Sequence, residues 1–236
     1  MRLFYSALSH GRTSPTMNPF YCAGRLLCRI IRVQTLCVNS LDERFVDRDD
    51  AFVLAVTHLS HVEPGVVSAM NRREIDWMTR KEFYGNCLVT WFLRGIGCIR
   101  VNRQGIPVLA IRTGISRLRA GRVVGIFPEG GVATGTQAMI RGGSFKRGLC
   151  SLAIRAGVPI IPCVLLGTEK LVRVMPWMPF RRGRLWMAYG QPIHPPAGGR
   201  STRETRRQLA QRVGVSFQQL YATLRERYGI SDSDVP

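Results

Sequence analysis

A histidine and a glutamate five positions apart, His58 and Glu63, are the side chains of this sequence best suited to acid–base chemistry. A carboxylate that accepts a hydrogen bond from one imidazole nitrogen orients the ring and stabilises its charged form, which leaves the other nitrogen to act as a general base. Without such a partner, a histidine after a strand is usually a structural residue. The spacing therefore makes His58 a candidate base and Glu63 its orienting acid.

Two other kinds of site remain open for the same stretch. His58, His61 and Glu63 together offer metal-ligand side chains, and Ser60 offers a nucleophilic hydroxyl. The stretch lacks the HExxH arrangement that places zinc ligands on one helix face, and it lacks the GxSxG surroundings of a nucleophilic serine. Both alternatives are therefore weaker than the acid–base pair, and no metal is expected.

The elements around His58 and Glu63 are suited to hold both side chains at one rim. Residues 51–56 form an apolar run that reads as a buried strand, with His58 just beyond its carboxyl end. Pro64 suits the first position of a helix, so Glu63 lies at a helix start.

The rest of the chain alternates strands and helices, which predicts an α/β fold. The predicted helices are 63–72, 83–95, 106–120 and 146–156, with a carboxyl-terminal helix that opens on the capping pattern Ser201 and Glu204. The other predicted strands are 75–78, 98–101, 123–127, the apolar run 158–167, and 185–190. We expect an amino-terminal segment (1–40), an α/β domain (41–200) and a carboxyl-terminal helix with its tail (201–236).

The excess of basic residues indicates the charge of the partner. Lys and Arg number 34 against 15 Asp and Glu, a formal net charge of +19. Such an excess implies an anionic partner, which charge alone leaves open among nucleic acid, acidic lipid and a phosphorylated substrate. The seven cysteines contain no CxxC spacing, which argues against a disulfide framework and a thiolate zinc site.

Two stretches have the composition of lipid-binding segments. In residues 19–38, Arg25, Arg29 and Arg32 fall on one helical face and leucines and isoleucines fill much of the rest. This predicts a basic amphipathic helix in a membrane interface with its arginines toward lipid phosphates; a terminal helix packed on the domain is the alternative. Residues 177–187 interleave tryptophan and phenylalanine with arginines, which suits a lipid headgroup layer or single-stranded nucleic acid. Because no nucleic-acid recognition motif is present, we expect lipid.

Three further stretches follow His58 and Glu63 in order. The segment IGCIRVNRQG carries Arg103, GIFPEGG carries Glu129 and Gly130, and VPIIP carries Ile160 and Pro162. With these four blocks in this order, the chain resembles the glycerolipid acyltransferase family typified by lysophosphatidic acid acyltransferases. The resemblance covers about residues 50–192. It implies a central, mixed and mostly parallel sheet flanked by helices.

The resemblance also implies an activity: transfer of a fatty acyl group from acyl-coenzyme A or acyl carrier protein to a lysolipid hydroxyl. His58 would take the hydroxyl proton, and Glu63 would hold the imidazole. Arg103 would bind the anionic acceptor headgroup, with Glu129 and Gly130 shaping that site. Ile160 to Pro162 would lie near the acyl donor. No cofactor is implied, and the expected location is peripheral, on the cytoplasmic face of an anionic membrane.

The sequence departs from the family pattern twice. Glu63 stands where the family usually has aspartate, and FPEGGVA replaces the common FPEGTRS, so that an arginine is missing. Arg141, Lys146 or Arg147 are candidates to replace that cation. The acceptor is then lysophosphatidic acid or another lysolipid, and a lipid-binding protein that has lost catalysis is the remaining alternative.

Overall fold

One seven-stranded sheet forms the centre of the protein, seen in a computed structural model that describes residues 18–104, 107–168, 183–198 and 200–231. The strands are β1 (Leu36–Leu41), β2 (Val53–Val56), β3 (Ile75–Arg80), β4 (Ile99–Val101), β5 (Val123–Ile126), β6 (Ile160–Leu166) and β7 (Gly183–Tyr189). Their order across the sheet is β1-β7-β6-β2-β5-β3-β4. Among these strand pairs only β6 and β7 run antiparallel. The predicted mixed, mostly parallel α/β sheet is confirmed.

Helices cover both faces of the sheet. They are α1 (Pro19–Thr35), α2 (Glu63–Met70), α3 (Cys87–Gly95), α4 (Val108–Arg119), α5 (Gly148–Ala156) and α6 (Arg203–Tyr228). Alternate residues of β2 enter two apolar cores: Leu54 and Val56 pack with α2, whereas Val53 and Ala55 pack with α4, α5 and α6. Burial on both faces explains why β2 is apolar throughout.

Parallel pairing brings several strand ends to one edge of the sheet. β2 lies between β5 and β6, with Val53 opposite Val124 on one side and Ile160 on the other. β3 pairs with β5 and with β4 in the same direction. The loops after β2, β3, β4, β5 and β6 therefore leave the same edge, which is where ligands bind in open α/β sheets.

Two helix boundaries and one strand differ from the sequence-based expectation. The predicted helix 83–95 is split, because the Asn86 side chain caps α3 by accepting from the N–H groups of Leu88 and Val89. The predicted Ser201 and Glu204 cap is wrong: α6 is capped by Thr202 and Thr205. Strand β1 was not foreseen, and it crosses the predicted segment boundary at residue 40.

Helix α1 packs against α2, and two of its arginines bond backbone carbonyls of the protein. The guanidinium of Arg25 donates to the carbonyl of Arg72 at 2.7 Å, and Arg29 donates to the carbonyl of Ala69 at 3.2 Å. The carbonyl of Ala69 lies in the last turn of α2 and that of Arg72 just beyond the helix, so both guanidiniums lie at the carboxyl end, where the helix dipole favours cations. Arg25 and Arg29 therefore each have a partner within the protein, and the expectation that they face lipid phosphates stays a prediction. In the described residues no helix is both long and apolar enough to cross a membrane.

The second predicted lipid-binding stretch, residues 177–187, lies partly outside the described residues, which resume at Gly183. Within the described part, Trp186 belongs to β7 and is partly buried against the core. Arg184 is exposed in the same strand.

Candidate active site

The predicted pair of His58 and Glu63 is formed. Glu63 Oε2 lies 2.8 Å from His58 Nδ1, and the Glu63 side chain is completely buried. Strand β2 ends two residues before His58, and α2 begins at Glu63, so the loop between them folds the two side chains together. The imidazole is 12% exposed. Because Nδ1 is occupied by the carboxylate, Nε2 is the nitrogen left for proton transfer.

The other carboxylate oxygen of Glu63 is held by three donors. Oε1 accepts from the backbone N–H groups of Leu59 at 2.9 Å and Ser60 at 2.6 Å, and from the Thr168 hydroxyl at 2.7 Å. A buried carboxylate is costly unless its acceptor sites are filled, and here donors fill both oxygens. The carboxylate is therefore fixed in direction toward His58.

Glu129 anchors the loop that carries His58. Its Oε2 accepts from the N–H of His58 at 2.7 Å, and its Oε1 accepts from the N–H of Met139 at 2.9 Å. Burial raises the pKa of Glu129 above its ordinary value, and the two N–H donors oppose that rise. Glu129 thus holds the backbone of His58 and Met139 in place, and its predicted role in shaping the acceptor site stays a prediction.

Aromatic stacking positions the imidazole from the side. The rings of His58 and Phe127 are stacked with centroids 4.3 Å apart, and Phe127 stacks on Trp77 at 5.0 Å. Phe127 follows β5 and Trp77 lies in β3, so neighbouring strands build this column. Stacking on Phe127 fixes the plane of the His58 ring, and the hydrogen bond to Glu63 fixes the direction of Nδ1.

Three cations converge beside His58. The Arg80 guanidinium donates to the carbonyl of Gly130 at 3.2 Å. Gly130 has a φ of +75°, and a Cβ there would lie 3.0 Å from Lys146 Cε and 3.1 Å from Arg103 Nη2. Burial, and then the neighbouring charge of Arg80, lower the pKa of Arg103. Among the described residues none of these three cations forms a salt bridge with an acidic side chain, and the charge of Glu82 opposes the lowering of the Arg103 pKa. The cluster is suited to an anion.

A cavity of about 750 Å³ with a mostly apolar lining opens at this site. Its lining includes His58 and the three cations, and it also includes Tyr21 and Cys28 of α1 and Phe92 of α3. This volume is in the usual range for small-ligand sites. The cavity can therefore hold an apolar chain next to the imidazole and the anion-binding cluster.

Some candidates lie elsewhere. Ile160 and Pro162 are buried within β6 and do not line this cavity, so the structure gives their side chains a core position. Ser60 is completely buried and its hydroxyl accepts from the N–H of Val62, which corrects the alternative of an accessible nucleophile. Across the described ranges, no group of three or more His, Cys, Asp or Glu is arranged to hold a metal ion.

The sequence-based reasoning missed two residues of the site. Arg80 ends β3, one position before Lys81, and its place at the carboxyl end of a strand was the available signal. Thr168 follows the proline-containing block, and nothing in its sequence surroundings indicated that its hydroxyl reaches Glu63, 105 positions earlier.

The chain is similar to known acyltransferases. The acyltransferase family model matches residues 37–166. The chain is 29% identical over 175 residues to a 1-acyl-sn-glycerol-3-phosphate acyltransferase of Bacillus subtilis, covering 74% of this chain and 81% of that protein. It is 23% identical to the protein of the same name from Streptococcus pneumoniae, covering 75% and 63%.

A solved structure shares the fold. The crystal structure of the 1-acyl-sn-glycerophosphate (LPA) acyltransferase PlsC from Thermotoga maritima superposes with a TM-score of 0.62 at 20% identity, covering 86% of this chain and 78% of that one. The family match runs from β1 to the end of β6 and includes His58, Glu63, Arg103 and Glu129. Since that match spans more than half of the chain, the protein belongs to the acyltransferase family and is an acyltransferase.

Proposed function

We propose that this acyltransferase moves a fatty acyl group from an acyl thioester to the hydroxyl of lysophosphatidic acid at the surface of an anionic membrane. The observation that carries the proposal is the oriented pair of His58 and Glu63 beside three cations in one cavity. The names of the two bacterial relatives support the choice of acceptor.

The reaction needs one base and no covalent enzyme intermediate. His58 Nε2 removes the proton of the acceptor hydroxyl as its oxygen attacks the thioester carbonyl. The tetrahedral adduct then collapses, the C–S bond breaks, and the imidazolium gives its proton to the departing thiolate. Glu63 stabilises the imidazolium between these two proton transfers. No cofactor takes part, since the thioester is a substrate.

The acceptor headgroup is assigned to Arg80, Arg103 and Lys146. A phosphate monoester carries up to two negative charges, and arginine guanidiniums bind it through charge-assisted hydrogen bonds. The arginine missing from the FPEGGVA block is thereby replaced by Arg80, which contacts the carbonyl of Gly130 in that block. Three cations favour a phosphate monoester over a zwitterionic lysolipid headgroup.

The acyl donor is assigned to the apolar part of the same cavity. Its lining from α1 and α3 supplies the contact surface that a fatty acyl chain requires, and burying each methylene contributes about 0.8 kcal/mol. Coenzyme A and acyl carrier protein remain alternative carriers of that chain, and a comparison of the two donors in the same assay distinguishes them.

Membrane binding is assigned to an apolar face, defined by Leu26, Leu27 and Ile30 of α1 with Leu88 and Trp91 of α3. Leu26 and Leu27 are each 59% exposed and Trp91 is 65% exposed. Phe20 of α1 contacts the Trp91 ring edge-on at 4.7 Å, which joins the two helices into one surface. Exposed apolar groups on a strongly basic protein suit the interface of an anionic bilayer, on its cytoplasmic face.

Acyl transfer to a panel of lysolipids tests the proposal. Purified protein is incubated with labelled acyl-coenzyme A or acyl carrier protein and each acceptor in anionic vesicles. His58→Ala should lower kcat by about 10²- to 10⁴-fold, the usual contribution of a general base, while vesicle binding persists. His194→Ala, an exposed histidine outside the site, is the matched control. Unchanged acyl transfer by His58→Ala would refute the assignment of His58 as the base. A preference for a zwitterionic lysolipid would refute lysophosphatidic acid as the acceptor.

A further inference from the structure

Thr168 connects the end of β6 to the catalytic carboxylate. Its side chain is completely buried, and its hydroxyl donates to Glu63 Oε1 at 2.7 Å. Strand β6 is a direct neighbour of β2, the strand that leads to His58. Thr168 is thus the one donor to Glu63, among the described hydrogen bonds, that comes from outside the 58–63 loop.

The chain is bent sharply to bring Thr168 to this place. Gly167 has a φ of +90°, and a Cβ there would lie 2.5 Å from the carbonyl oxygen of Arg184. Only glycine fits both the backbone conformation and the close approach of β7. Three residues before Thr168, in β6, the N–H of Leu165 donates to the Thr57 hydroxyl, which in turn donates to the Leu165 carbonyl, and this joins the ends of β2 and β6. The position of Thr168 relative to Glu63 is therefore rigid.

We propose that Thr168 is a positioning residue for catalysis, whose hydroxyl locks the Glu63 carboxylate so that Oε2 points at His58 Nδ1. This inference rests on the proposed role of His58 as the base. Thr168 touches neither the imidazole nor, in the proposed scheme, the substrates, so it acts through Glu63.

The geometry of the carboxylate explains why a third donor matters. Leu59 and Ser60 are adjacent residues, so their N–H groups approach Oε1 from the same loop. The Thr168 hydroxyl approaches from a different strand and resists rotation of the carboxylate about its last side-chain bond, a torsion with a broad energy minimum. A glutamate side chain has one more rotatable bond than the aspartate usual in the family. The added freedom makes an external lock more important in this chain.

Replacing the hydroxyl without changing its shape tests the proposal. Thr168→Val removes the donor, and Thr168→Ser retains it. We expect Thr168→Val to lower kcat for acyl transfer by about tenfold to a hundredfold with little change in KM, because misdirection forfeits part of the general-base contribution. Thr168→Ser should recover most of the rate. If Thr168→Val does not fold, kcat and KM are measured for Thr168→Ala instead, together with its melting temperature.

A combination with Glu63→Gln separates positioning from general structural damage. If Thr168 acts through Glu63, adding Thr168→Val to Glu63→Gln should cost much less than it costs in the wild type. A full, additive loss in the double variant would overturn the proposal. So would an unchanged kcat in Thr168→Val while His58→Ala is inactive, and that outcome leaves the proposed base intact. Full activity in His58→Ala would refute the base itself and this inference with it.

Discussion

Glu63 Oε2 lies 2.8 Å from Nδ1 of His58, although glutamate reaches one methylene further than the aspartate usual at this position. Glu63 is the first residue of α2, and its side chain folds back over the loop so that Oε1 accepts from Leu59 and Ser60. The extra length is absorbed by this return path and does not disturb the contact with His58. The alternative of a silenced acyltransferase therefore has no support in the geometry of the site.

Glu63→Asp should lower acyl transfer. The shortened side chain withdraws its carboxylate by about 1.5 Å, one carbon–carbon bond, in a loop built for glutamate. It cannot keep both the contact to His58 and the contact to Thr168. The value of kcat for the variant, measured at saturating acceptor, should fall by at least about tenfold, since catalytic groups tolerate only about 0.5 Å of displacement. A gain of activity would show that the glutamate had silenced the enzyme.

Glu63→Gln should lower kcat by about 10²-fold or more through the tautomer of His58. The amide oxygen takes the place of Oε1, because three donors surround that atom. The amide NH₂ then faces Nδ1 of His58, which must accept, and the ring proton moves to Nε2. Nε2 cannot act as a base in that state. Measured kcat and KM check this, and activity equal to wild type would show that the carboxylate charge is dispensable.

Arg80→Gln should raise the KM for lysophosphatidic acid by about tenfold with kcat little changed, because a hydrogen bond to a charged group contributes about 1.5 kcal/mol or more. The effect should be smaller for a zwitterionic lysophospholipid. Arg112→Gln, an exposed α4 arginine away from the cavity, removes the same charge as a control. Equal KM changes in the two variants would mean that Arg80 acts only through net charge.

Glu129 should make stability depend on pH in a defined direction. Its folded pKa is raised by burial above the ordinary value of 4.5, so the folded state holds the proton more tightly than the unfolded state. The stabilisation associated with that proton is complete below pH 4.5 and is lost as the pH rises through the folded pKa. The free energy of unfolding of the wild type, relative to Glu129→Gln, should therefore decrease as the pH rises above 4.5. A constant or increasing difference would contradict the raised pKa.

How far the sequence predicts the structure depends on the range of the interaction concerned. The buried strand before His58, the helix start at Glu63 and the strand end at Arg103 were predictable, because apolar runs and proline placement act locally. Their meeting at one sheet edge also followed, since parallel strands share their carboxyl ends. The pair of His58 and Glu63 was predictable because it depends on these local signals and on the shared sheet edge.

The contacts that the sequence did not predict are those made between distant elements. Thr168 reaches Glu63 only because β6 lies beside β2 and Gly167 turns the chain. Arg25 and Arg29 have the spacing of a lipid-facing row, yet the carbonyls at the end of α2 compete for them. Amphipathic spacing defines the faces of a helix but not which face packs on the protein. Only the tertiary arrangement decides between those outcomes.

The apolar face of α1 gives the last prediction. With Arg25 and Arg29 bonded to carbonyls at and just beyond the end of α2, the helix presents Leu26 and Leu27 outward, where no described residue covers them. Replacing both by serine should weaken binding to anionic vesicles by at least about tenfold, because each inserted leucine contributes about 1.5 kcal/mol or more. Val215→Ser, a change at an exposed apolar residue of α6, is the control. Co-sedimentation with vesicles measures the binding. If the double variant binds as tightly as the control while its melting temperature is unchanged, the membrane contact is made elsewhere.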